Sequence, residues 1–126
     1  MEVHNALSKE VVDAAFQIHC KLGPGLLESA YEKILIYELR NRDIPVETQV
    51  LMPIKYDGRI FDTGFRADLV VDNILLVELK SIDHATDAHK RQLLTYLRLS
   101  GMKLGLLINF GESLIKNGIT RIVNGL

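Results

Sequence analysis

The stretch that decides the fold is ILLVELKS, residues 74–81. Ile74, Leu75, Leu76 and Val77 make an apolar run of the kind that fills a buried strand, yet it continues directly into Glu78, Leu79 and Lys80. Residues two apart in a strand share a face, so Glu78 and Lys80 point the same way as Ile74 and Leu76. Carrying an unpaired charge into a core is costly, and a buried pair is at best neutral against an apolar substitute. Either the strand ends in water with a local ion pair, or its charges meet partners at a built site. The neighbouring segments decide between these.

From Val46 the pattern has period two. Val46, Thr48, Val50, Met52, Ile54 and Tyr56 alternate with Glu47, Gln49, Leu51, Pro53 and Lys55. Asp57-Gly58 is a strong two-residue hairpin signal, and the return strand runs from Arg59 to Val71, with an irregularity expected near Gly64. Tyr56 then opposes Arg59, which sets Arg66 against Gln49 and Asp68 against Glu47. Residues directly opposite share a face, so one face of the hairpin collects two carboxylates, an amide and a guanidinium. Whether Glu78 and Lys80 join that face depends on the next turn. A two-residue Asp72-Asn73 turn places Asp68 opposite Val77, on the wrong face. A three-residue turn, Asp72-Asn73-Ile74, places Asp68 opposite Glu78 and Arg66 opposite Lys80, because a one-residue slip flips every side chain. Such turns use a left-handed position that asparagine tolerates, and Asn73 can supply it. The three-residue register is therefore expected.

Asp68 and Glu78 side by side repel unless a cation lies between them. Hard carboxylate oxygens suit Mg²⁺ or Mn²⁺, which keep several waters and take few protein ligands. The backbone carbonyl of Leu79 is a further candidate ligand. Lys80 is placed to contact a phosphate oxygen or to help form hydroxide from the metal's water, and metal-activated water attacking a phosphodiester is the chemistry such a cluster serves.

Around this centre the chain reads as one domain over residues 1–126, long enough to bury a core. Residues 8–21 carry Val11, Val12, Ala15 and Ile18 at helical spacing, with Ser8 as N-cap. Gly23-Pro24-Gly25 breaks the chain, a second helix spans about 26–42, and a third runs from His84 to Ser100 with Gly101 as its stop. Residues 104–110, LGLLINF, suit a central parallel strand, and a last strand is expected at 119–123. Three hairpin-linked strands followed by a helical crossover give an α/β fold, a mixed sheet with helices on both faces. No apolar segment is long enough for a membrane span, and the N-terminus lacks a signal peptide's basic and apolar regions. A cytoplasmic protein without a membrane partner is expected. The single cysteine, Cys20, excludes an internal disulfide and reads as core. A net charge of −1 gives no global basic field for nucleic acid, so phosphate would be met through cations.

Asp68 followed by Glu78-Leu79-Lys80 resembles the D…(D/E)-x-K core of the PD-(D/E)XK nuclease superfamily. GLLESAY, residues 25–31, resembles the G-x-x-E-x-x-Y signature of a small family within it, and QLLTY, residues 92–96, resembles the Q-x-x-x-Y motif of the branch related to helicase-associated exonucleases. Ala67 stands where the superfamily name has proline. The resemblance implies a three-layer α/β/α restriction-endonuclease-like fold with a sheet of four to five strands and core order α-β-β-β-α-β. It implies Asp68 and Glu78 as metal ligands, Lys80 as the catalytic lysine, and Glu28 supporting the metal or its water.

Beside these, Gln92 and Tyr96 share a helical face. Gln92 is expected to orient a ligand or water and Tyr96 to touch substrate. Arg66 either clamps phosphate or pairs with Asp68 or Glu47, while Glu47 and Gln49 are candidates from the shared hairpin face. Tyr31 reads as core, with its hydroxyl a donor behind the site. His84 and His89 read as exposed helix residues. The expected activity is Mg²⁺-dependent hydrolysis of nucleic acid, DNA ahead of RNA. A symmetric dimer suits a duplex, whose two strands need two sites. The alternative is a catalytically silent module that binds a partner protein or nucleic acid.

Overall fold

The computed structural model describes residues 2–126, Thr63 by its backbone alone. In chain order the elements are α1 (Glu2–Leu22), α2 (Glu28–Asn41), β1 (Val46–Tyr56), β2 (Arg59–Val71), β3 (Leu75–Lys80), α3 (Asp87–Ser100), β4 (Leu104–Asn109), the short α4 (Ile115–Gly118) and β5 (Ile119–Val123). The five strands form one sheet in sequential order. β3 and β4 are parallel, joined across α3, and the other neighbours are antiparallel. One core packs α1 and α2, through Val11, Ile18, Leu35 and Leu39, on Leu75, Val77, Leu104 and Leu106. A second packs Leu93 and Leu97 of α3 on Leu76 and Leu107 of the opposite face. The alternation of Leu75, Val77 and Leu79 against Leu76 follows from the period-two strand geometry. The result is the expected α/β fold with helices on both faces, and β4 is buried along its whole length.

The β2–β3 turn has the expected length. Val71 pairs with Leu75 and Leu69 with Val77, so Asp72, Asn73 and Ile74 form the loop. Both Asp72 (φ 50°) and Asn73 (φ 61°) take the left-handed conformation. The β1–β2 hairpin turns at Asp57-Gly58 with Tyr56 opposite Arg59, as expected, but its register then shifts. Ile54 pairs with Phe61 and Met52 with Phe65, so residues 62–64 of β2 bulge out against Pro53 alone. Pro53 has no amide to lose there, and a side chain at Gly64 would overlap the Met52 carbonyl oxygen. The bulge inserts two residues, so the faces are kept while the partners move. Leu51, not Gln49, faces Arg66; Glu47 pairs with Val70; Gln49 falls between pairs that bracket Asp68.

Three further expectations need correction. α1 begins at Glu2 and Ser8 is buried within it instead of capping it, because Leu7 extends the buried stripe of Val11, Ala14 and Ile18 upstream. α3 begins at Asp87, with Thr86 as N-cap: its side chain accepts from His89 N, and His89 Nδ1 accepts from Thr86 N. Cys20 is exposed and not part of the core.

Candidate active site

The β2–β3 ladder stops at Leu69 and Val77. One step beyond, where the strands part, side chains take over the hydrogen bonds that the backbones no longer exchange. Leu79 N donates to Asp68 Oδ2 at 2.8 Å, and Asp68 N donates to Glu78 Oε1 at 3.4 Å. Each carboxylate is thus anchored to the opposite strand, and the two are held against each other. Burial, and next the charge of Asp68, push the Glu78 carboxyl up to about 9. A carboxyl held that high keeps its proton near neutral pH. Burial and the nearby Asp68 also raise Glu28, the first residue of α2, while Lys80 lowers it.

Asp68, Leu79, Gln49, Glu28 and Glu32 line one cleft of about 390 Å³, with Leu27 and Ser29 at its rim. Lys80 closes the strand end. Its backbone carbonyl accepts from Phe110 N at 2.9 Å, and its ammonium has no carboxylate within 4.0 Å among the described residues. The amine is therefore uncommitted beside two acids, at a point where the core ends.

The other candidates divide. Tyr96 stacks on Phe65 with ring centroids 3.7 Å apart, and its hydroxyl is raised by burial and then by Glu78 and Asp68, which puts it within reach of both carboxylates' fields. Gln49, held at φ 49°, donates from Nε2 to Glu32 Oε1 at 2.7 Å. Arg66 donates to the Gln49 carbonyl at 3.2 Å and forms no ion pair with Asp68 or Glu47. Glu47 is exposed opposite Val70 and does not line the cleft. Gln92 is exposed one turn before Tyr96. Tyr31 is wholly buried, stacked on Phe110, and its hydroxyl donates to the Gly23 carbonyl and accepts from Leu26 N. It braces the loop that delivers Glu28 and does not reach the acids itself. His84 is exposed and bonded to Glu112 Oε1 at 3.0 Å.

Sequence reasoning passed over Glu32, although its i, i+4 spacing from Glu28 placed both on one side of α2. It also passed over Ser81 and Asn109. Ser81 Oγ donates to the Leu26 carbonyl at 2.6 Å, tying the Gly23–Leu26 loop to the end of β3. Asn109, wholly buried, accepts from Ile82 N and Gly111 N through one oxygen.

Among the described residues no three His, Cys, Asp or Glu side chains are gathered closely enough to enclose an ion by themselves, so Glu28 does not complete a set with Asp68 and Glu78. Two adjoining carboxylates, the Glu78 carboxyl raised by burial and then by Asp68, nevertheless fit a hard divalent cation that retains much of its water. No curated protein and no solved structure matches the chain. The model of one family does, the PD-(D/E)XK nuclease superfamily, over residues 5–122. With an acid on each of two parting strands, a lysine two residues after the second and a match covering nearly its whole length, the chain belongs to the PD-(D/E)XK nuclease superfamily.

Proposed function

We propose that the protein is a nuclease that hydrolyses phosphodiester bonds, DNA ahead of RNA, with Mg²⁺ or Mn²⁺ as cofactor, and that it falls in the G-x-x-E-x-x-Y branch its GLLESAY segment resembles. The observation that carries this reading is the reciprocal anchoring of Asp68 and Glu78. A pair of acids locked together at half burial is a liability to the fold, and it becomes useful once a cation replaces the shared proton. Asp68, Glu78 and the Leu79 carbonyl would hold the ion. When bound, it supplies positive charge that activates water and polarises a phosphate oxygen. Asp68 is fixed for this role by the Leu79 amide, while Glu78 must release its proton to take part. Lys80, free of any carboxylate partner, binds a phosphate oxygen and offsets charge that grows there during attack. Glu28 and Gln49 face the same cleft and orient water. Tyr96 and Gln92 lie on the α3 side, with Tyr96 the nearer to the acids.

The test is hydrolysis of labelled DNA and RNA oligonucleotides with Mg²⁺, with Mn²⁺ and with chelator. Cleavage is expected only with metal, and Lys80→Ala and Asp68→Ala should each lose about 100-fold or more while keeping the wild-type circular dichroism. Equal cleavage by both variants would overturn the assignment.

A further inference from the structure

Three open cavities lie along the same seam. The acidic cleft shares Leu27 with a second hollow between Pro24–Leu27 on one side and Ser81, Ile82, Asp83 and Gly111 on the other. On the other side, further along α2, lies a third, lined by Lys33, Ile36, Tyr37, Arg40 and Thr48. Along α2 the three follow in order, Pro24–Leu27 before its first turn, Glu28–Glu32 in its first turns and Lys33–Arg40 beyond, so the hollows make a row, a segmented groove with the acidic cleft in its middle. From Glu28 to Arg40 it extends about 18 Å at the helical rise, enough for several nucleotides.

The groove's lining departs from local preference in a consistent way. Leu27 occupies the N-cap of α2 and makes no side-chain cap bond, where Ser, Thr, Asp or Asn is preferred. It is also 77% exposed, more than any other large apolar side chain among the described residues. Leu26 and Ile82 beside it are exposed as well. Further along, Tyr37 is 65% exposed. Lys33 and Arg40 flank it at i−4 and i+3, and neither has a carboxylate partner among the described residues, whereas Arg42 has three. Arg40 donates one N–H to the Val46 carbonyl at 3.3 Å and keeps its charge unpaired. Apolar and aromatic surfaces alternating with cations that have no carboxylate partner suit a strand whose bases are unstacked, since stacking accepts any base and cations follow the phosphates. A duplex hides its base faces and gains nothing from Leu27 or Tyr37.

We propose that this groove binds a single nucleic-acid strand, Leu27 and Tyr37 taking bases on either side of the acids and Lys33 and Arg40 taking phosphates. The inference deepens the nuclease reading by naming its substrate form, and it rests on that reading for the position of the scissile bond.

The test uses the full chain carrying Lys80→Ala in Mg²⁺, titrated into fluorescent oligo-dT, the matching oligo-U and a duplex of equal length. Single strands should bind at least ten-fold more tightly than the duplex. Lys33→Glu with Arg40→Glu should weaken single-strand binding ten-fold or more. Replacing the same two residues by Gln should reduce the slope of log affinity against log salt by about 1.4, or 0.7 per lost phosphate contact. Leu27→Ser, which supplies the missing cap, should melt no lower than its parent yet bind several-fold more weakly, and Tyr37→Ala should behave alike in binding. A duplex bound as tightly as the single strand, or affinities untouched by these substitutions, would overturn the groove even if metal-dependent cleavage is present. Lack of any cleavage by the wild type overturns the nuclease reading instead and leaves the binding result standing.

Discussion

At the scale of single residues, the Asp68–Glu78 pair makes the metal-free protein sensitive to pH in a direction that can be worked out. Glu78 is raised by burial, and next by Asp68, from an ordinary value of 4.5 to about 9 in the fold. Between those values the folded state holds a proton that the unfolded chain has released. Stability is therefore greatest below about pH 4.5 as far as this group is concerned, and it is lost as pH rises toward 9, by up to about 1.4 kcal/mol per pH unit. Glu78→Gln mimics the protonated form and removes the linkage. In chelator, urea denaturation at pH 6 and pH 8 should show the wild type losing more stability than Glu78→Gln over the same interval, with the variant the more stable at pH 8. Parallel pH profiles for the two proteins would mean that Glu78 ionises normally and that the acids are not forced together.

Elements rather than residues explain what the sequence could and could not disclose. The meeting of Asp68 and Glu78 was legible because it depends on parity. Once Asp72-Asn73-Ile74 is a three-residue turn, Asp68 must meet Glu78, and Asn73 announced a left-handed position. The hairpin partners were not legible, because a bulge has no fixed address in a period-two pattern; Gly64 and Pro53 marked the region without saying how many residues would be extruded. The start of α1 was hidden by Ser8, whose capping chemistry is also compatible with a buried helical position once Leu7 extends the apolar stripe. Tyr31 was rightly read as core, but its bonds to Gly23 and Leu26 span a loop whose path no local pattern specifies. The bulge carries its own prediction. A methyl group at Gly64 would overlap the Met52 carbonyl and crowd the Pro53 Cα, so Gly64→Ala has to open the bulge or displace β1. Overpacking of that kind costs about 1–3 kcal/mol, and the displacement should move Gln49 away from Asp68. A melting temperature lowered by several degrees, with cleavage reduced beyond the loss of folded protein, is expected. A variant as stable as the wild type would show that the extruded residues rearrange freely.

The whole molecule is what makes the candidate ion site, and this ties its stability to metal. Asp68 and Glu78 come from different strands, and Glu28 reaches the cleft that Asp68 lines from α2, where Tyr31 and Ser81 hold the loop before it. The unfolded chain has no such arrangement, so a divalent ion held there would bind the native state alone and stabilise it by mass action, by about 2.7 kcal/mol at a concentration 100 times Kd. For a chain of this size that corresponds to a rise in melting temperature on the order of 10 °C. Since the ion must displace the proton on Glu78, the rise should be larger at pH 8 than at pH 6. Thermal denaturation across a Mg²⁺ or Mn²⁺ titration at the two pH values would read this directly, with Asp68→Ala as the comparison. The variant should show little of the rise at either pH. If it melts with the same metal dependence as the wild type, the ion binds elsewhere on the surface, and the acids at the parting of β2 and β3 have some other use.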